Sequence, residues 1–370
     1  MLIIWSLSTS ERKICRRTFA KCTTRLATKH QRFNARVWRN ESSCGENGII
    51  NDQKEPTKSN LSTIKQQTTM EKYIGIASNA YSDFGNYFWG QITFRDGGLY
   101  GNYFWGLIIL SAIFFGLEQV KPWRENQARF RKDFWLDFFY MFFNFFLFSL
   151  IIFNGMTAVG VQLFKDFLGL FGIENIVAIQ VGGLPKWAQL VILFVLKDFI
   201  EWWVHRLLHY SSFLWQFHKV HHSVEQMGFA AHLRYHWAEN LVYKSIAYIP
   251  LAMIGFGIDD FFYVHIFAIT IGHWNHANWK VNIGVLGYVL NNPNMHMWHH
   301  AYDIPEERKT GINFGLTLSV WDYIFRTAYI PHSGKDIKLG FPGMEKFPDS
   351  FLGQSAYGVL GSDKEEDNIR

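Results

Sequence analysis

Thirteen of the chain's 15 histidines fall between residues 205 and 300, and ten of them form four tight sets: His205 and His209; His218, His221 and His222; His273 and His276; His296, His299 and His300. Within each set the spacing is one, three or four residues. Positions three and four apart share a helix face, so each set can present its imidazoles in one direction. Imidazole is a ligand for iron, copper and zinc. One ion takes only three or four protein ligands, so this supply points to a dinuclear centre. The two copies of His-x-x-His-His suit a pseudo-symmetric pair of metals. Asp198 and Glu201 precede His205 by seven and four residues on the same face. They are candidates to accept the second ring N–H of a ligand histidine and so fix its tautomer.

Thiolate ligands are excluded from the body of the chain, because Cys15, Cys22 and Cys44 all precede residue 70. Their spacing matches no zinc pattern. Catalytic zinc usually takes three protein ligands and an open position, fewer than are supplied here. A two-zinc hydrolase would normally interleave bridging carboxylates, and none stands among the clusters. The Glu plus Glu-x-x-His pattern of soluble di-iron carboxylate proteins is also missing. Iron is favoured. The alternatives are a membrane zinc-dependent hydrolase and, outside the enzymes, a histidine-rich metal transporter. A transporter should place histidines or acids at membrane depth, whereas most of these clusters lie outside the clearest apolar runs.

The elements that must hold the clusters are apolar and aromatic. Aromatics reach 18% of the chain, with 35 Phe, and they concentrate in runs. Asn102–Leu117, Phe134–Gly155, Trp187–Ile200 and Leu241–Phe256 read as membrane spans, with Phe261–Ile271 marginal. Phe134–Gly155 has almost no charge over the roughly 20 residues needed to cross about 30 Å of hydrocarbon. The loop Lys121–Lys132 carries Lys121, Arg124, Arg129, Arg131 and Lys132, which places it on the cytoplasmic side. In the third span charge appears only from Lys197 onward. That predicts a helix leaving the bilayer there and continuing as a soluble extension that bears His205 and His209. The reading is an all-α integral membrane protein with about four transmembrane helices and a cytosolic, histidine-rich helical cap. Its membrane would be the endoplasmic reticulum in a eukaryote or the cytoplasmic membrane in a bacterium.

Residues 1–69 hold 13 of the 36 Lys/Arg but only 5 of the 31 Asp/Glu, leaving 23 basic against 26 acidic residues elsewhere. The basic balance belongs to this segment, so the body offers no case for nucleic-acid binding. The segment reads as a targeting peptide, a disordered arm, or sequence upstream of a start at Met70. Residues 70–101 read as a linker and interfacial segment, 102–345 as the membrane domain and 346–370 as a C-terminal tail. His30, His265 and His332 stand alone and are read as non-catalytic. Gly255-Phe-Gly257 is too weak for a dinucleotide site. Arg206, Lys219 and Arg234 read most simply as exposed helix charges or phosphate contacts. Gly340–Pro348 reads as a loop-like packing tail.

The motifs together resemble the fatty acid hydroxylase/sterol desaturase superfamily. Lys197-Asp198-Phe-Ile-Glu-Trp-Trp-Val-His205-Arg-Leu-Leu-His209 is similar to its first histidine box. Phe213-Leu-Trp-Gln-Phe-His218-Lys-Val-His221-His222-Ser223 is similar to its second. Leu233-Arg-Tyr-His236 with Glu239 resembles the Arg-x-His-Pro-x-Glu segment that follows, with Trp237 in place of the usual proline; His236 is a further outer-sphere candidate. His273-Trp-Asn-His276 resembles the intermediate histidine segment. His296-Met-Trp-His299-His300, followed by Asn313-Phe-Gly and Trp321-Asp322, resembles the third box and its tail. The resemblance covers roughly residues 100–345. It implies two iron ions that activate O2 and abstract hydrogen from an unactivated C–H bond of a lipid, giving a hydroxyl or a double bond. It also implies a separate electron donor: a ferredoxin, a cytochrome or a reductase.

Overall fold

The computed structural model describes residues 58–95, 102–148, 154–172, 181–248, 251, 256 and 258–359. Most of the basic segment, with its cysteines, and the glycines of Gly255-Phe-Gly257 lie outside these residues. The elements are α1 (Lys58–Ile92), α2 (Tyr103–Val120), α3 (Phe134–Phe142), α4 (Asn154–Gly169), α5 (Lys186–Tyr210), α6 (Ser212–His222), α7 (Trp237–Tyr243), α8 (Ile258–His276), α9 (Pro293–His299), α10 (Val320–Ile324) and α11 (Phe351–Ala356). One turn of π-helix continues α3 over Phe143–Leu147, and another continues α7 over Lys244–Tyr248. Among the described residues β-pairing is limited to two isolated bridges, Leu290–Leu318 and Ala301–Leu339. The described residues are all-α, as expected. It divides into two compact units, a smaller one that includes residues 58–84 and 154–163 and a larger one that includes 85–148 and 164–359.

Two expected boundaries shift. α1 runs without a break through 69/70, so the supposed linker is helical as far as Ile92. At the other end the tail folds into the body. Ser350 Oγ accepts the Gly353 N–H at 3.2 Å to cap α11, and Tyr140 donates to Gln354 Oε1 at 3.1 Å. Phe341 and Phe347 are buried with Tyr140 and Val220, so the Gly340–Pro348 stretch does act as packing.

The larger unit is built to hold α5, α6, α8 and α9 together. α5 is about 37 Å long at the helical rise, and one residue separates it from α6. Ser211 closes α5 by donating its N–H to Leu207 O at 3.0 Å, while its Oγ accepts the Leu214 N–H at 3.4 Å and opens α6. Pro293 sits in the first turn of α9, where its missing N–H costs nothing, and Asn292 Oδ1 caps that helix through Asn294 and Met295. Phe114, Phe134, Phe229, Ala230, Trp274 and Ala277 form one core cluster. Beside it Glu118, at the end of α2, accepts the backbone N–H groups of Phe229 (2.9 Å) and Asn278 (2.7 Å).

Two charges expected at the surface are buried. Arg234 is 1% exposed and donates to Asp133 Oδ2 and Asp137 Oδ1, each at 3.1 Å, and to Ser223 Oγ at 2.9 Å. A buried guanidinium needs such partners, and these hold it as a structural clamp. Lys219, also buried, donates to Gln216 and lies over the rings of Phe341 and Tyr357. Arg206 stays partly exposed over Trp202 and Trp203.

Among the described residues one helix, α2, is long and apolar enough to cross a membrane. The other expected spans are helical over most of their described residues: α3 with its π-turn, the first half of α5, and the end of α7 with its π-turn. Ile109, Ile113, Trp187, Val191, Ile192 and Val195 on α2 and α5 are exposed apolar side chains.

Candidate metal centre

Nine of the ten predicted histidines converge in two buried groups: His205, His209, His218, His222 and His299 in the first, and His221, His276, His296 and His300 in the second. In each group the potential ligand atoms lie within 4.8 Å of one another. The helical period explains the division. In each His-x-x-His-His the i and i+4 residues go to one group and the i+3 residue to the other. α6 gives His218 and His222 to the first and His221 to the second. α9 with its cap reverses this, giving His299 to the first and His296 and His300 to the second. The groups adjoin, with the rings of His222 and His300 stacked at 4.3 Å.

Most rings are aimed by a bond at Nδ1. His205 donates it to Phe314 O (2.8 Å), His221 to Arg234 O (3.0 Å), His276 to Gly272 O (2.8 Å) and His299 to Ile312 O (2.8 Å). His218 Nδ1 meets Glu239 Oε2 at 2.8 Å. In a neutral ring these bonds leave Nε2 as a bare lone pair. Those lone pairs face other ring nitrogens: His205–His218 at 3.1 Å, His222–His299 at 3.1 Å, His221–His276 at 3.4 Å and His276–His296 at 2.9 Å. In the His205–His218 and His221–His276 pairs Nδ1 is engaged on both rings, so two lone pairs face each other and repel unless a cation lies beside them; the donor set fits metal ions. Burial, and after it the neighbouring imidazoles, hold His205, His222, His276, His296, His299 and His300 well below the ordinary histidine pKa, and His221 at about 4. All seven are therefore neutral near pH 7, the form that binds metal.

The carboxylates expected to orient the ligands do other work. Asp198 accepts the N–H groups of Thr317 and Leu318 and the Trp321 indole. Glu201 pairs with Lys197 at 2.5 Å. Neither is shown bonded to a histidine: the 312–322 loop meets Asp198 with its own donors, and Lys197 of the same helix meets Glu201. The loop supplies the acceptors instead, the carbonyls of Ile312 and Phe314. Asp322 holds it in place, accepting from Phe314 N, Gly315 N, Trp202 Nε1 and Thr327 Oγ1. His236 also stands apart, with Nε2 donating to Ser355 O at 2.8 Å. Its neighbour Glu239 is the carboxylate that meets a ligand, and its place in the second-box segment was the signal for it. His273 joins neither group; its Nδ1 meets Nδ1 of His232 at 2.9 Å. His232 had no recognisable spacing to any set.

The comparisons agree with this site. Residues 190–327 match the Fatty acid hydroxylase family model. That segment contains all nine grouped histidines. The chain is 30% identical over 172 residues to ornithine lipid hydroxylase OlsE of Rhizobium tropici, covering 46% of this chain and 50% of that protein. It is 33% identical over 135 residues to alkylglycerol monooxygenase of Homo sapiens, covering 35% and 28%. To very-long-chain aldehyde decarbonylase GL1-10 of Oryza sativa subsp. japonica it is 26% identical over 157 residues, covering 41% and 50%. The matched stretch spans half or less of the length of these relatives. No solved structure matches significantly.

Proposed function

We propose that the protein is an O2-dependent, dinuclear iron oxygenase of membranes that hydroxylates or desaturates an unactivated C–H bond of a lipid. The observation that carries this is the pairing of bare, buried imidazole nitrogens, His205 with His218 and His221 with His276, in two adjoining groups of histidines. The relatives named for lipid hydroxylation and alkylglycerol monooxygenation support a lipid substrate.

His205, His209, His218, His222 and His299 would hold one iron, and His221, His276, His296 and His300 the other. When bound, the pair supplies reduction of O2 and removal of hydrogen from carbon. The chain's own part is to orient and to exclude water. Fixed Nδ1 bonds hold His205, His218, His221, His276 and His299 against rotation, so little is reorganised there when charge develops. Burial keeps them neutral and keeps water from a reactive oxidant. Hydroxylation also consumes two electrons and two protons, with one oxygen atom leaving as water. We assign the electrons to a separate donor: a ferredoxin, a cytochrome or a reductase. The site would face the cytoplasm at the end of several spans, α5 among them.

Protein purified under argon should contain two irons per chain. Active protein containing two zincs and no iron would overturn the assignment. His221→Ala and His299→Ala should each abolish O2-dependent lipid oxidation while the chain still inserts into membranes, and retained turnover would refute the ligand roles. Lipid profiling of a deletion strain, read for a missing hydroxyl or double bond, identifies the substrate.

A further inference from the structure

The two groups are unequal, with five histidines facing one another in the first and four in the second. In the first, His205 and His209 stand four residues apart on one face of α5. The corresponding position on α8, four residues before His276, is Gly272, which has no side chain to offer. That space is filled from another element. His232, in the turn at 229–233, lays its ring against Gly272, where an added β-carbon would collide with its Nε2 and Cε1. The same ring has its centroid 5.2 Å from that of His276. Its Nδ1 is engaged by His273 Nδ1 at 2.9 Å, and His273 Nε2 lies 3.4 Å from Ser111 Oγ. Nε2 is left directed toward α8. This repeats the arrangement of the grouped ligands, with one ring nitrogen held by a fixed partner and the other presented. The second group is also the less firmly oriented: Nδ1 of His296 and of His300 are buried without a hydrogen-bond partner.

We infer that His232 is the tenth histidine of the metal centre, serving the second group in place of the side chain that Gly272 lacks, and that His273 is the residue that positions it. His232 takes this role only if the two groups hold metal, as proposed above.

Metal-stripped, full-length protein titrated with Fe2+ under argon separates the two ideas, with bound iron counted by elemental analysis and each site followed by Mössbauer spectroscopy. The unaltered chain should take up two equivalents; failure to do so overturns the dinuclear reading, and the role of His232 with it. His232→Ala should leave the first group unchanged and weaken the other equivalent about 10-fold or more, the scale seen when the support of a metal ligand is removed. Gly272→Ala, which keeps His232 but displaces its ring, should do the same. Combining His232→Ala with Gly272→His returns an imidazole to the i, i+4 position and should restore the lost equivalent. Tight binding of two irons by His232→Ala would refute the inference. So would a double variant as weak as His232→Ala, since the ring would then act by packing alone.

Discussion

His218 differs from the other oriented ligands in that its Nδ1 meets a carboxylate, Glu239 Oε2, and not a backbone carbonyl. Burial pushes the Glu239 carboxyl up to about 7, against the pull of His221 and His236. Its charge therefore depends on the site around it. Glu239→Ala should weaken iron at the first group about 10- to 100-fold, the range found when an outer partner of a metal ligand is lost. Glu239→Gln keeps an acceptor oxygen and should fall between the two. An Fe2+ titration that found the alanine variant unchanged would show that the carboxylate does not support the metal. The convergence of nine histidines was legible at this scale, because imidazoles at one-, three- and four-residue spacings can hardly avoid lying close together. Their partners were not. Asp198 and Glu201 do lie on the His205 side of α5, but a loop more than 100 residues later in sequence meets Asp198, and Lys197 meets Glu201. His273 shows the same limit: its spacing to His276 allows ligation, yet Ser111 and His232 meet it first.

At the scale of elements, two features make the centre: the opposite splitting of the two His-x-x-His-His motifs, and the 311–322 loop that aims His205 and His299. Gly311 turns the loop at φ +110°, and Asn313 follows at φ 53°, a conformation asparagine tolerates better than most residues. Asn313 is held there by donating to Met295 O and Tyr329 O and accepting from Tyr329 N. Asp322 then gathers two loop N–H groups, the Trp202 indole and the Thr327 hydroxyl. Asp322→Ala orphans these buried donors at about 1–3 kcal/mol each. Its melting temperature should drop sharply, and iron should leave the first group before the second. The order follows from the anchors, since His276 is held by its own helix and His221 by the Arg234 carbonyl. Asp322→Asn keeps one acceptor oxygen and should lose less. Equal loss from both groups would mean that the loop does not aim the first one selectively. The helices were legible as apolar runs, and Asn313 and Asp322 as motif residues. What could not be read was that these two residues brace a loop of carbonyl acceptors, because a carbonyl is present at every position and only the fold selects which ones are used.

For the whole molecule, the open quantity is which way the histidine-bearing end faces. The basic loop between α2 and α3 carries five positive charges, but not all are free to act on topology. Arg131 is buried against Asp137, and Arg124 donates to Met227 O and Asn278 Oδ1. Lys121, Arg129 and Lys132 are the exposed remainder, and three basic residues in a short loop still favour the cytoplasmic side. The sequence makes a clean test possible, since every native cysteine lies before residue 70. With Cys15, Cys22 and Cys44 changed to serine, single cysteines can be placed at Glu125 in the basic loop, at Asp336 beyond the third histidine box, and at Lys165 in α4. All three positions are exposed. If α3 and α5 each cross the bilayer, Lys165→Cys should react with an impermeant maleimide added to intact cells. Glu125→Cys and Asp336→Cys should then react only once the membrane is opened. The reverse pattern would put the metal centre on the outer face, and labelling of all three from one side would remove the crossings through α3 and α5.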